Sequence, residues 1–253
     1  MIEPLPLGAT IGILGGGQLG RMLSLAASRL GFKTHIYCPD KQSPAFEVTP
    51  HKTVAAYDDL PALAAFAAVV DVVTYEFENV PAGTAEYLRE LRPLRPGANA
   101  LAVSQDRLVE KRFISDLSIP VAPHRAIHSA DDLKPALAAL GGTAILKTTR
   151  LGYDGKGQRK VTSLAEASAA WAELKPSPLV MEALVPFVRE ISVVIASKLD
   201  GAVAAFDPAE NVHRDGILRT STVPATISAE TAALGVAHAT RIAAALDYAG
   251  VLG

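Results

Sequence analysis

The sequence predicts an α/β protein with a largely parallel sheet, and three features carry that expectation. Strand-like and helix-like segments alternate along the chain. A glycine loop, GGGQLG, follows the first apolar run and opens the first helical pattern. Two of the strand candidates, ATIGIL and DVVTYEF, are apolar enough to be buried strands.

Taken in order, ATIGIL is the first strand, residues 18–30 form a helix stopped by Gly31, and KTHIYC is the next strand. Residues 60–70 are helical in pattern, and DVVTYEF delivers Glu76 and Glu78 to its C-terminal edge. LRPLRPG, at 91–97, is a proline-rich domain boundary. Ser129 with Asp132, and Ser163 with Glu166, match the Ser-x-x-acid capping box, so helices are expected to begin at both. Between them, TAILKTT and QRKVTS read as strands, which puts GYDGKGQ at the tip of a hairpin-like connection rather than at a helix start. EISVVIAS and AVAAF flank KLDG, whose Asp-Gly suits a tight hairpin turn. An Ala-rich helix covers 228–247 and ends near Gly250, after which VLG begins a further strand. There is no internal repeat and no low-complexity tract.

Composition narrows the function classes. A chain of 253 residues is long enough for two domains. With 24 Lys and Arg against 26 Asp and Glu, the net charge of −2 provides no global attraction to nucleic acid or an anionic membrane, so local clusters must carry any phosphate binding. The single cysteine, Cys38, excludes an internal disulfide and a Cys-based zinc site. The N-terminus lacks a basic lead-in and a small-residue cleavage pattern, so no signal peptide is expected. The longest apolar stretch, 62–70, is about half the length of a membrane span. A cytoplasmic protein without nucleic-acid or membrane partners is expected.

Two glycine-rich loops draw attention. In the first, Gly15, Gly17 and Gly20 have the dinucleotide-fingerprint spacing, and amides at a helix N-terminus can cradle a phosphate. Tight strand-to-helix packing is the alternative. Asp40 stands near the distance of a ribose-binding acid, but Pro39 precedes it and it falls past the strand end, so a nicotinamide cofactor fits poorly. In the second loop, LKTTRLGYDGKGQ, Gly152, Gly155 and Gly157 make an amide-rich flap and Lys147 supplies a point charge. This is no Walker A loop, and a plain glycine-rich turn with a solvated lysine is the competing reading. Tyr153 and Asp154 favour function, since a turn has no need of an acid, a phenol and two cations together.

These segments, together with TYEFENVP, SQDRLVEKRF and NVHRDGILRTS, resemble in order the N5-carboxyaminoimidazole ribonucleotide synthases, the ATP-grasp carboxylases of bacterial and fungal purine synthesis. The resemblance implies a Rossmann-like pre-ATP-grasp domain at 1–98, a small lid subdomain at 99–178 and a large ATP-grasp subdomain at 179–253. It implies that Gly15, Gly17, Gln18, Leu19 and Glu76 lie near the ribonucleotide, with a 5'-phosphate at the helix N-terminus. Arg107 and Lys147 match phosphate-contacting cations, and the loop of Gly152, Tyr153, Asp154, Gly155, Lys156, Gly157 and Gln158 matches the flap over the triphosphate. Glu182, Ala183, Leu184 and Val185 match the segment whose backbone reads adenine, Glu190 the acid on the ribose hydroxyls, and His213 a further ATP-site position.

The implied reaction is attack of bicarbonate on the γ-phosphate of ATP to give carboxyphosphate, followed by capture of the carboxyl group by the amine of 5-aminoimidazole ribonucleotide. Tyr153, Asp154 and Lys156 would meet the ribonucleotide, Lys147 would serve phosphoryl transfer, and Asp154 is the candidate base for the amine proton. Arg214 and Arg219 are plausible anion contacts or loop-ordering residues. Mg2+, or Mn2+ in its place, is implied, but the family's acidic metal ligands match nothing before Gly253. The chain is accordingly expected to lack metal ligands and to be inactive by itself. A homodimer is also implied. Competing readings are another ATP-grasp ligase, such as a formate-dependent transformylase or a biotin carboxylase-like protein, a catalytically silent nucleotide-binding module, and an NAD-dependent oxidoreductase.

Overall fold

The computed structural model describes residues 4–76, 78–152, 156–174, 178–214 and 216–253. The chain divides into two compact units. The first comprises Met1–Ala102 with Ser197–Ala202 and Ala244–Gly250, and the second Val103–Ala196, Val203–Ala243 and Val251–Gly253.

In the first unit the order is β1 (Thr10–Leu14), α1 (Gln18–Arg29), β2 (Lys33–Tyr37), β3 (His51–Thr53), α2 (Leu60–Ala68), β4 (Val72–Tyr75), α3 (Ala82–Leu91) and α4 (Ala98–Ser104). The strands form one sheet in the order β3-β2-β1-β4, parallel at every pairing. Each strand is followed by a crossover, which is the connection a parallel pair requires. α1 ends where the sequence predicts, because Gly31 takes a φ of +82° and its N–H closes on the Ser28 carbonyl. Asp59 starts α2 by accepting the Ala62 N–H at 3.0 Å. The core unites β1, β2 and β4 with the two helices on one face: Leu14, Tyr37, Leu63, Phe66, Val73 and Leu88 are each at most 1% exposed. Burial of side chains this size stabilises by about 1.5–3 kcal/mol each.

The proline-rich segment 91–97 packs within this unit. The Val73 N–H donates to the Pro93 carbonyl, the Arg95 N–H donates to the Val73 carbonyl, and Leu94 joins the core. The division between units falls some residues later, after Ala102.

The second unit is built differently. It runs α5 (Arg107–Asp116), β5 (His124–Ile127), α6 (Leu133–Ala139), β6 (Ala144–Thr148), β7 (Gln158–Val161), α7 (Leu164–Leu174), β8 (Leu179–Ala183), β9 (Glu190–Ser192), β10 (Ile195–Ser197), β11 (Val203–Ala205), β12 (Ala209–Arg214), β13 (Ile217–Thr222), α8 (Ala229–Ala245) and β14 (Gly250–Leu252). The sheet β5-β8-β6-β7 is antiparallel throughout, and β12 pairs antiparallel with both β9 and β13. These pairings contrast with the parallel sheet of the first unit. In the second unit β6 and β7 are joined by a connection too short for a crossover, and such a connection leaves only the antiparallel arrangement.

Both capping sites open helical segments. The Asp132 carboxylate accepts the N–H of Ser129 at 2.7 Å and of His128 at 2.9 Å, ahead of a single 3-10 turn that runs into α6. At α7 the Ser163 hydroxyl accepts the Glu166 N–H at 3.2 Å, while the Glu166 carboxylate takes the Thr162 N–H at 2.7 Å. The Asp200-Gly201 turn joins β10 to β11, with Gly201 at φ +80°. EISVVIAS, read as one strand, is two: β9 pairs with β12 and β10 with β11, in different sheets. The run of β-branched residues fits either sheet and contains no glycine or proline to mark the change.

Candidate functional site

In the first unit, the loop between β1 and α1 closes around Glu76 at the end of β4. Gly15 takes φ +111°, and a Cβ there would stand 2.3 Å from Glu76 Cγ and 2.6 Å from its Oε1. Only glycine satisfies both the backbone conformation and the approach. The Gly17 N–H, at the cap of α1, donates to Glu76 Oε1 at 2.8 Å. The protein's own carboxylate thus occupies the helix terminus at which the sequence suggests a phosphate. The Gly17 amide therefore has a partner in Glu76 within the unit itself. Gln18 and Leu19 begin α1 with exposed side chains. Asp40 closes its own turn by accepting the Gln42 N–H at 2.9 Å, which leaves it poorly placed as a ribose ligand.

In the second unit, β6, β8 and α5 gather a charged cluster. Glu182 lies on the central strand β8 and is 6% exposed. Its Oε2 accepts from Lys147 Nζ at 2.9 Å, and its Oε1 lies 3.2 Å from Lys111 Nζ. Burial alone would raise this carboxyl, but Lys147 and Lys111 together hold it below the usual carboxylate range. Glu110 faces the same cluster and goes the other way: burial lifts its carboxyl despite the nearby Arg107 and Lys111. Asp106 sets the direction of α5 by accepting the N–H groups of Leu108 and Val109 at 2.9 and 3.3 Å.

Arg107, the first residue of α5, ties this cluster to the flap. Its Nη2 donates to the Gly152 carbonyl at 3.2 Å, while its buried Nε has no hydrogen-bond partner among the described residues. The flap's base is closed by the Thr148 N–H donating to the Gly157 carbonyl at 2.9 Å. Gly157 sits at φ +70°, and a Cβ there would lie 2.8 Å from Thr148 Oγ1. Gln158 opens β7 opposite Lys147, and Lys156 is exposed at the turn. Tyr153, Asp154 and Gly155 lie outside the described residues.

Beyond β8 the chain leaves the sheet through Ala183, Leu184 and Val185. Leu184 and Val185 are 43% and 46% exposed, an open connecting segment. Glu190 and His213 come together on neighbouring strands β9 and β12, with His213 Nδ1 3.2 Å from Glu190 Oε1. Arg214 and Arg219 are exposed on the β12-β13 hairpin. The structure therefore brings together Lys147 with Glu182, Arg107 with Gly152, Glu190 with His213, and Glu76 with Gly15 and Gly17.

Sequence reasoning passed over Lys111 and Glu110. The signal lay in DRLVEK, where Arg107, Glu110 and Lys111 are spaced i, i+3, i+4 on one face of α5. Among the described residues, no group of three or more His, Cys, Asp and Glu side chains is gathered for a metal ion, and no helix is long and apolar enough to cross a membrane. Glu182 is held by two lysines and Glu190 faces His213, so these acids do not present the open oxygen set that Mg2+ requires.

Comparison with known proteins places this geometry. The ATP-grasp domain family matches residues 112–253, and the ribonucleotide synthetase preATP-grasp domain family matches residues 8–105. The N5-carboxyaminoimidazole ribonucleotide synthase of Brucella melitensis is 52% identical over 248 residues, which cover 97% of this chain and 68% of the relative. An ADP complex of an N5-carboxyaminoimidazole ribonucleotide synthetase is similar at a TM-score of 0.93 and 39% identity, over 99% of this chain and 67% of that one. The Aspergillus clavatus N5-carboxyaminoimidazole synthase, solved with ADP and 5-aminoimidazole ribonucleotide, gives a TM-score of 0.87 at 28% identity, over 97% of this chain and 65% of that one. The chain spans about two thirds of the length of these relatives. It belongs to the N5-carboxyaminoimidazole ribonucleotide synthase family of ATP-grasp proteins.

Proposed function

We propose that this protein takes part in the ATP-dependent carboxylation of 5-aminoimidazole ribonucleotide by bicarbonate, giving N5-carboxyaminoimidazole ribonucleotide, ADP and phosphate in purine synthesis. The observation that carries the reading is the cation cluster of the second unit: Lys147 and Lys111 on one buried carboxylate, with Arg107 at the base of a glycine flap. Lys147, Lys111 and Arg107 outnumber the carboxyl groups of Glu182 and Glu110, which leaves a surplus of positive charge. Such a site suits a polyphosphate.

In this reading Lys147 and Arg107 contact the phosphates, the loop from Gly152 to Gln158 closes over them, and Glu182, Ala183, Leu184 and Val185 offer their backbone to adenine. Glu190, beside His213, takes the ribose hydroxyls. A bicarbonate oxygen attacks the γ-phosphorus as the bond to ADP breaks. The exocyclic amine of the ribonucleotide then forms a bond to the carboxyl carbon as phosphate leaves, and Asp154, beside Tyr153, accepts the amine proton. Exclusion of water by the flap preserves the labile intermediate. The Rossmann-like unit holds the ribonucleotide, with the Glu76 carboxylate facing a hydrogen-bond donor rather than a phosphate. Mg2+ or Mn2+, a homodimeric assembly, a cytoplasmic location and the division at 98 and 178 belong to the same proposal. The described residues provide no ligand set for the metal.

The test is a graft of these 253 residues into the Brucella synthase in place of its aligned stretch, with phosphate release from ATP as the readout. Release is expected only when bicarbonate and 5-aminoimidazole ribonucleotide are both present. Release that ignores the ribonucleotide, or that follows formate or biotin instead, overturns the reading.

A further inference from the structure

Glu182 is the only carboxylate on β8, and among the described residues it carries two ammonium partners delivered by different elements. Lys147 comes from the neighbouring strand β6, and Lys111 from α5. The side chains are 8% exposed for Glu182, 14% for Lys111 and 21% for Lys147, so all three sit largely out of water. In such surroundings, withdrawing the sole partner of a carboxylate is strongly unfavourable, because the charge left behind is neither hydrated nor paired. A lysine that must release its carboxylate to meet a phosphate therefore needs a second cation to stay with the acid.

We propose that Lys111 is that cation: a positioning residue that retains Glu182 and so frees Lys147 for the triphosphate. The inference rests on reading Lys147 as a phosphate contact. The two oxygens of Glu182 are divided between the lysines, Oε1 to Lys111 and Oε2 to Lys147, so the departure of Lys147 leaves the other ion pair in place. Lys111 acts through Glu182 and touches no substrate. Without it, Glu182 would hold Lys147 as its single partner, and ATP would have to compete with a buried ion pair. A merely structural Lys111 would give a different pattern, since its loss would weaken every ligand of the unit alike.

The experiment is calorimetric titration of ATP and of adenosine into the protein and its Lys111→Met, Lys111→Arg, Glu182→Gln and Lys111→Met/Glu182→Gln variants. The proposal expects Lys111→Met to weaken ATP about tenfold while adenosine stays within about twofold. Lys111→Arg should retain ATP affinity, because it keeps the charge. Glu182→Gln should bind ATP severalfold more tightly than the parent, since it releases Lys147, and the double variant should regain what Lys111→Met lost. Equal losses of ATP and adenosine in Lys111→Met overturn the proposal, as does a double variant no tighter than the single one. If Lys111→Met does not fold, weakened ATP binding by Glu182→Gln overturns it alone. Failure of the parent protein to bind ATP, or an unchanged ATP affinity in Lys147→Met, is a separate result: it removes the assignment of the phosphate site itself.

Discussion

Replacing Gly15 by alanine should damage the first unit through two additive effects. The backbone at this position has φ +111°, and an L-residue held in such a region is strained by about 1–3 kcal/mol. The new Cβ would also stand 2.3 Å from Glu76 Cγ, well inside contact distance, so the carboxylate must swing away from the Gly17 N–H that it accepts at 2.8 Å. A charged hydrogen bond of this kind contributes about 1.5–3 kcal/mol. The sum is a loss of about 2.5–6 kcal/mol, large against the total stability of about 5–15 kcal/mol typical of a domain. Urea denaturation followed by far-UV circular dichroism measures it. Gly83→Ala is the control: it lies in α3, its Cβ would meet nothing within 4 Å, and it should stabilise by about 0.5–1 kcal/mol. If Gly15→Ala unfolds at the parent's urea concentration, the argument that Glu76 and the glycine loop form one unit is refuted.

Three further outcomes are expected. Gly157→Ala, with φ +70° and Thr148 Oγ1 2.8 Å from the new Cβ, should cost about 1–3 kcal/mol, read as an earlier thermal transition by the fluorescence of Trp171. Burial raises the Glu110 carboxyl in the folded protein, so its stabilising contribution is present below the unfolded value of about 4.3 and lost as pH rises through the folded one. Glu110→Gln should therefore be more stable than the parent at neutral pH, and the difference should close in acid; a difference independent of pH between 3 and about 7.5 would contradict this. In the graft into the Brucella synthase, Asp154→Asn should suppress carboxylation far more than ATP binding, and equal losses in single-turnover and binding assays would count against a base role.

Much of this fold is written in local signals. Gly31, Ser163 and the Asp200-Gly201 turn each mark a boundary through backbone chemistry that acts within a few residues, and the structure places helix ends and turns there. Sheet partnership was less visible, because β9 and β10 are consecutive β-branched segments whose partners lie elsewhere in the chain. The same distinction divides the candidate site. The flap and Lys147 stand out by residue type and spacing and Arg107 enters through the family resemblance, whereas the bond from Gly17 to Glu76 and the sharing of Glu182 by two lysines join residues 59, 71 and 35 positions apart. No periodicity encodes such pairs; only the packing of β4 against β1, and of α5 near β8, creates them.

The central claim is that the two glycine-rich loops serve two ligands. Calorimetric titration of ATP and of 5-aminoimidazole ribonucleotide into the parent, Lys147→Met and Glu76→Gln tests it most directly. The account predicts that Lys147→Met weakens ATP by about tenfold to a hundredfold with the ribonucleotide within about twofold, and that Glu76→Gln does the reverse. A parent that binds neither ligand, or a variant that weakens both equally, would contradict it.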